Sequence, residues 1–105
     1  MAENSTVIAD TSQLVGWVAA GAKPKSAWRI GTEHEKILFH HADFSPVAYE
    51  GEDGVGTLLQ SLCAHIGDKA RPIVEKGRII GLKDGEGGSV TLEPGGQLEL
   101  SGAPL

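Results

Sequence analysis

Apolar and polar positions along this chain form two helical stretches and a series of short alternating runs. Between residues 10 and 22, Leu14, Val15, Trp17 and Val18 build an apolar stripe at helical spacing. Asp10, Thr11 or Ser12 supplies an N-cap for that helix, and Gly21 a stop. Residues 54–66 predict a second helix, with Val55, Leu58, Leu59, Leu62 and Ile66 three and four apart and Gly67 ending it. Residues 28–39 read as a strand, and residues 72–75, 78–82, 89–92 and 97–100 as four shorter ones. Lys76-Gly77 and the run Asp84-Gly85-Glu86-Gly87-Gly88 carry the residues that tight turns demand. A linker at Lys23-Pro24-Lys25 and a loop over residues 40–52, punctuated by Pro46 and Gly51, join these pieces. The order helix, strand, helix, antiparallel meander predicts an α+β fold whose sheet carries its helices on one face. Residues 1–9 are polar and predicted to be disordered, leaving 10–105 as the structured unit.

The strand at 28–39 departs from the ordinary pattern of one apolar and one polar side. One face would carry Trp28, Ile30, Thr32, His34, Lys36 and Leu38, the other Gly31, Glu33, Glu35, Ile37 and Phe39. Residues two apart on a strand share a side, about 6–7 Å from each other. Glu33 and Glu35 therefore aim at one region, and crowded carboxylates repel unless a cation or a proton lies between them. Hard oxygen donors suit Mg²⁺, which accompanies phosphate, so the segment is a candidate metal–nucleotide site. Spacing alone favours a plainer reading, a solvent-facing edge decorated with acids. Gly31 leaves room for a ligand, and Ile37 and Phe39 continue the same face toward cover. His34 and Lys36 point the other way, Lys36 toward an acid elsewhere.

A second pair of acids, Glu93 and Glu99, flanks Pro94-Gly95-Gly96. A Pro-Gly hairpin between two acids explains the middle of that segment, since Gly tolerates positive φ and Pro fixes its own. It does not explain Glu99, which sits between Leu98 and Leu100 in an expected inner strand, where an unpartnered charge is costly. A metal ion, or Arg29, would supply the partner.

Composition narrows the remaining classes. At 105 residues, 40% of them apolar and 22% charged, the chain fits one small soluble domain with a modest core. A net charge of −5 argues against nucleic acid or an anionic membrane as partner. No run approaches the roughly 20 apolar residues of a membrane span. A single cysteine, Cys63, precludes an internal disulfide and lies on the apolar side of the second helix, as an inert buried thiol. The start of the chain shows no basic segment followed by an apolar one, so no secretory signal is read there, and a cytoplasmic location is expected. Gly51, Gly54 and Gly56 lack the Lys-Ser/Thr of a phosphate loop, and Glu33-His34-Glu35 is not a helical two-histidine zinc motif. His40-His41 reads as a solvated pair. Two helices and five strands make a thin core, and no third helix follows the last strand. The chain is therefore expected to be a piece of something larger, or to need a partner such as a second copy.

Three segments carry a resemblance. R-I-G-T-E-H-E-K at residues 29–36, Y-E-G at 49–51 and S-V-T-L-E-P-G-G-Q-L-E-L-S-G-A-P-L at 89–105 resemble the N-terminal part of glutamate–cysteine ligase of the plant and proteobacterial type. The resemblance covers roughly residues 10–105, and the first and third segments together are highly specific. It implies that 10–105 is an incomplete portion of a catalytic domain with a glutamine-synthetase-like fold. It further implies the substrates ATP, glutamate and cysteine, the cofactor Mg²⁺, and formation of γ-glutamylcysteine through γ-glutamyl phosphate on the route to glutathione. Carried over residue by residue, the family pattern makes Glu33, Glu35, Glu93 and Glu99 metal ligands, and Gly95 and Gly96 are expected to offer backbone N–H groups to an anionic substrate. Family members are several times longer, so the chain alone is expected to be inactive. The alternatives are a non-catalytic binding or regulatory module on the same scaffold, and a related ligase with another amine substrate.

Overall fold

A computed structural model describes residues 7–105. It contains helices α1 (Thr11–Ala19) and α2 (Val55–Ile66) and strands β1 (Glu33–Ile37), β2 (Arg71–Glu75), β3 (Arg78–Lys83), β4 (Ser89–Leu92) and β5 (Gln97–Ser101). All neighbouring strands are antiparallel, in the order β1-β5-β4-β3-β2. The strand closest to the N-terminus thus returns to pair with the last one. Part of the expected loose N-terminus, residues 1–6, lies outside the described residues.

The expected α+β class and antiparallel sheet are found, and the short strands fall within a residue or two of their sequence positions. The reason is turn chemistry. Lys76 and Gly77 both take positive φ, 48° and 77°, as a two-residue hairpin between Glu75 and Arg78 requires. Gly95 and Gly96 do likewise, at 82° and 79°, between β4 and β5. The long strand predicted over 28–39 is shortened to Glu33–Ile37, although reciprocal backbone bonds between Ile30 and Leu105 prolong the pairing outward.

The core joins α2 to one sheet face. It comprises Val55, Leu59, Ile79, Leu82 and Leu98, with Leu59 and Leu82 fully buried. Ile79 and Leu82 are three apart, which ordinary alternation would place on opposite faces. A register shift in the β2–β3 ladder, where Ile73 pairs Gly81 and Val74 pairs Ile79, brings both to the helix side. The Y-E-G segment clamps this layer. Tyr49 donates its hydroxyl to the Ile79 carbonyl at 2.8 Å, Arg78 stacks 5.3 Å above its ring, and Glu50 pairs Arg78 at 2.8 Å. Gly56 suits this contact, because a Cβ would stand 3.1 Å from the Tyr49 ring and the ring would have to shift.

One expectation fails. Both helices were to cover the sheet, but only α2 does. Asp10 caps α1 as expected, accepting from the Ser12 and Gln13 amides, yet α1 buries no residue and Trp17 is 81% exposed. A radius of gyration of 18.0 Å, against about 13 Å for a compact chain of this length, reflects the same standing-off. Periodicity reports that a helix has an apolar stripe; it does not say which surface covers that stripe.

Candidate functional site

The site is built by register. Across an antiparallel sheet, directly opposed residues share a face. Glu35 of β1 opposes Glu99 of β5, which opposes Thr91 of β4, which in turn pairs in register through to Gly81 of β3. Two residues along, Glu33, Ser101, Ser89 and Lys83 form the next row of the same face. Glu93 follows Thr91 by two and accepts its hydroxyl at 2.6 Å, which puts it on this side as well. The intervening positions Leu82, Val90, Leu98 and Leu100 belong to the opposite face, where α2 packs. All four sequence-predicted carboxylates therefore project from the face that α2 leaves uncovered.

Their surroundings differ. Glu33 and Glu35 lie on the edge strand and are exposed, while Glu93 and Glu99 are half-buried. Glu99 accepts the Ser101 hydroxyl at 2.8 Å. That hydrogen bond, with partial solvent access, answers the cost expected of a charge between two leucines. Arg29 is not its partner, since its guanidinium donates to the Trp28 carbonyl at 2.8 Å. Among the described residues there are three ion pairs, His40–Asp53, Lys69–Glu86 and Arg78–Glu50, and none involves these four acids or Lys36. Lys36 instead opposes Leu98 on the helix side. His40, expected to be solvated, is half-buried 3.6 Å from Asp53. Ile37 and Phe39, expected to give the acid face some cover, are 77% and 54% exposed.

Among the described residues, no three His, Cys, Asp or Glu side chains are gathered tightly enough to hold a metal ion. The donor set nevertheless suits a hard divalent cation: carboxylates with hydroxyls beside them, on one face, without a basic partner. A Glu reaches new positions by staggered rotamer changes alone, so shared facing rather than present spacing is what the backbone supplies. Of the two glycines expected to present amides to a substrate, Gly96 already donates its N–H to the Glu93 carbonyl at 3.1 Å. Space above both is open, because a Cβ at either would meet nothing within 4 Å.

The turn at residues 84–88 joins β3 to β4 as expected, but sequence reasoning missed the part its Asp84 carboxylate plays. Asp84 turns inward and accepts from the amides of Glu86 and Gly88 at 2.7 and 2.9 Å, an arrangement signalled by Asp ahead of a glycine cluster. Those amides hold its carboxyl below the ordinary value of 3.8. A lowered folded-state value means that the stabilisation is present above the ordinary value and is lost as pH falls through both. Asp84→Asn is expected to lower the urea midpoint at pH 6, with the deficit shrinking toward pH 3. A deficit equal at both pH values would show that the charge is immaterial.

Comparison with known proteins was informative over most of the chain. The family model for glutamate-cysteine ligase family 2 matches residues 29–105. A chloroplastic glutamate–cysteine ligase of Solanum lycopersicum is 47% identical over 92 residues, covering 88% of this chain and 16% of the relative. Glutamate–cysteine ligase A of Oryza sativa subsp. japonica, also chloroplastic, is 48% identical over 93 residues, 88% of this chain and 18% of the relative. The chloroplastic enzyme of Arabidopsis thaliana is 44% identical, with 88% and 16% coverage. The chain thus spans about a sixth of the length of these relatives. The expectation of a cytoplasmic location is corrected by the same finding, since these relatives are named chloroplastic.

Proposed function

Because the chain belongs to glutamate–cysteine ligase family 2, we propose that it supplies the metal-holding face of a ligase that joins glutamate to cysteine at the expense of ATP. The observation that carries this reading is the alignment of Glu35 with Glu99 across β1 and β5, with Glu33 and Glu93 on the same side. In the whole enzyme, ATP would phosphorylate the γ-carboxylate of glutamate, and the cysteine amine would displace that phosphate to give γ-glutamylcysteine. Glu33, Glu35, Glu93 and Glu99 would hold Mg²⁺, which neutralises charge on transferring phosphates. The chain's own residues position those carboxylates: β5 sets Glu99 beside Glu35, Thr91 tethers Glu93, and Ser101 tethers Glu99. The open turn at Gly95 and Gly96 leaves the approach to Glu93 and Glu99 unobstructed, which suits entry of an anionic substrate.

This reading includes a glutamine-synthetase-like fold for the complete ligase, with the uncovered apolar surface of α1 packed against its remainder. Leu14, Val15, Trp17 and Val18, all exposed, support that packing. The chain spans about a sixth of its relatives' length, so turnover is expected only from the whole enzyme. Purified chain, assayed for ADP release with ATP, Mg²⁺, glutamate and cysteine, is expected to give no rate above the no-enzyme control. Sustained turnover would contradict the division of labour proposed here.

A further inference from the structure

The acid face has a cationic end that the family assignment does not use. Lys83, the last residue of β3, opposes Ser89, which opposes Ser101 of β5, which opposes Glu33 of β1. It therefore emerges on the side that bears the four carboxylates. It also lines a cleft of about 400 Å³ together with Gly85, Gly87, Gly88 and Ser89. Among the described residues no ion pair joins Lys83 to these acids.

Each neighbouring charge is committed elsewhere. Glu86, at the tip of the loop, is bound by the Lys69 ammonium. Asp84 is turned into its own loop by the Glu86 and Gly88 amides. Arg71, opposite Lys83 on β2, directs its guanidinium to the carbonyls of Asp68 and Ala70 at 2.6 and 2.9 Å. Lys83 joins none of the three ion pairs among the described residues and is exposed. The loop glycines contribute room rather than donors, since two of the loop amides already serve Asp84.

Distance makes the arrangement useful. Strands lie about 4.8 Å apart, so Lys83 stands roughly 10 Å or more across the sheet from Glu99 of β5. That is too far for a direct ion pair, and it is a span that a lysine stem and a chain of phosphates bridge together. A lysine ammonium binds phosphate as a compact point charge, and a neighbouring hydroxyl adds a donor.

We propose that Lys83, with Ser89 beside it, is the phosphate-binding end of the carboxylate face and contacts the polyphosphate of the nucleotide whose metal the acids hold. The face is then bipolar: carboxylates at β1 and β5 take the cation, and Lys83 at β3 takes the anionic chain bound to it. Lys83 is a binding and positioning residue. It rests on the metal-holding reading for its role in the reaction, but its anion affinity is measurable separately.

Tripolyphosphate is the probe, titrated into the 105-residue chain by calorimetry with and without Mn²⁺. Lys83→Gln is expected to weaken tripolyphosphate binding by about tenfold or more, the scale of one charge-assisted hydrogen bond. Lys83→Arg is expected to retain most of the affinity, and Ser89→Ala to cause a smaller loss. Lys83 is exposed, so far-UV circular dichroism should match the parent in every variant. Mn²⁺ affinity measured without tripolyphosphate should be unchanged by Lys83→Gln, which separates an anion contact from a general disturbance of the site. Equal tripolyphosphate affinity in Lys83→Gln and the parent, or no tripolyphosphate binding by the parent, overturns the assignment. Absence of Mn²⁺ binding by the parent overturns the metal-holding reading instead, while the Lys83 comparison with tripolyphosphate alone still decides this one.

Discussion

Leu82→Ala is expected to abolish cooperative folding of this chain or to bring it close to that point. Leu82 is fully buried on β3, in a core of five buried residues spread over α2, β3 and β5. Truncating a buried leucine costs about 2–5 kcal/mol, through lost transfer energy and the cavity left behind. A domain of this length has only about 5–15 kcal/mol in total, and so thin a core belongs at the lower end. The urea transition followed by far-UV circular dichroism should lose at least half its midpoint or its sigmoidal shape. Tryptophan fluorescence would be the wrong probe, because Trp17 and Trp28 are 81% and 63% exposed. Trp17→Ala provides the contrast, with an expected change within about 0.5 kcal/mol, as for other surface positions. A large loss from Trp17→Ala would mean that α1 is packed in solution.

Glu99→Gln is expected to have the largest effect on ligand binding. Substitution of groups that merely orient metal ligands costs about 10- to 100-fold in affinity, so removing a ligand's charge should cost at least as much. Glu99 is the acid best placed to matter. It opposes Glu35 directly, is half-buried, and is held by Ser101. Glutamine keeps the shape and can still accept the Ser101 hydroxyl, so the fold should be undisturbed. Calorimetric titration of Mn²⁺ should show a loss of at least an order of magnitude for Glu99→Gln. A smaller loss is expected for Glu35→Gln, on the exposed edge strand. Unchanged affinity in Glu99→Gln would remove that residue from the metal-holding set.

Much of this architecture was legible because local chemistry decided it. Glycines that must take positive φ marked the turns at Lys76-Gly77 and Gly95-Gly96, and these fixed β2 to β5 to within a residue or two. The three- and four-residue spacing of Val55, Leu59, Leu62 and Ile66 marked the helix that does pack. The shared facing of Glu33 and Glu35 followed from the two-residue repeat of a strand. What local pattern could not supply was pairing across the chain. That β1 lies beside β5, and so brings Glu35 opposite Glu99, depends on contacts over 60 residues apart in sequence, which no short window encodes. The same limit explains the failure at α1, whose stripe is real but lacks a covering surface among the described residues. Lys83 escaped notice because its importance lies in its register with Ser89 and Ser101, not in its neighbours along the chain.

The central claim is that the carboxylates of β1 and β5, with Glu93 just after β4, share one sheet face and bind a divalent cation there. Paramagnetic broadening of ¹⁵N amide signals by sub-stoichiometric Mn²⁺, on the labelled 105-residue chain, tests it most directly. The signals of residues 33–35, 91–93 and 97–101 are predicted to broaden first and together, while those of α2 and of residues 68 and 84–86 persist. Broadening centred on the acids at 68, 84 and 86, or spread evenly over all acidic residues, would contradict the account.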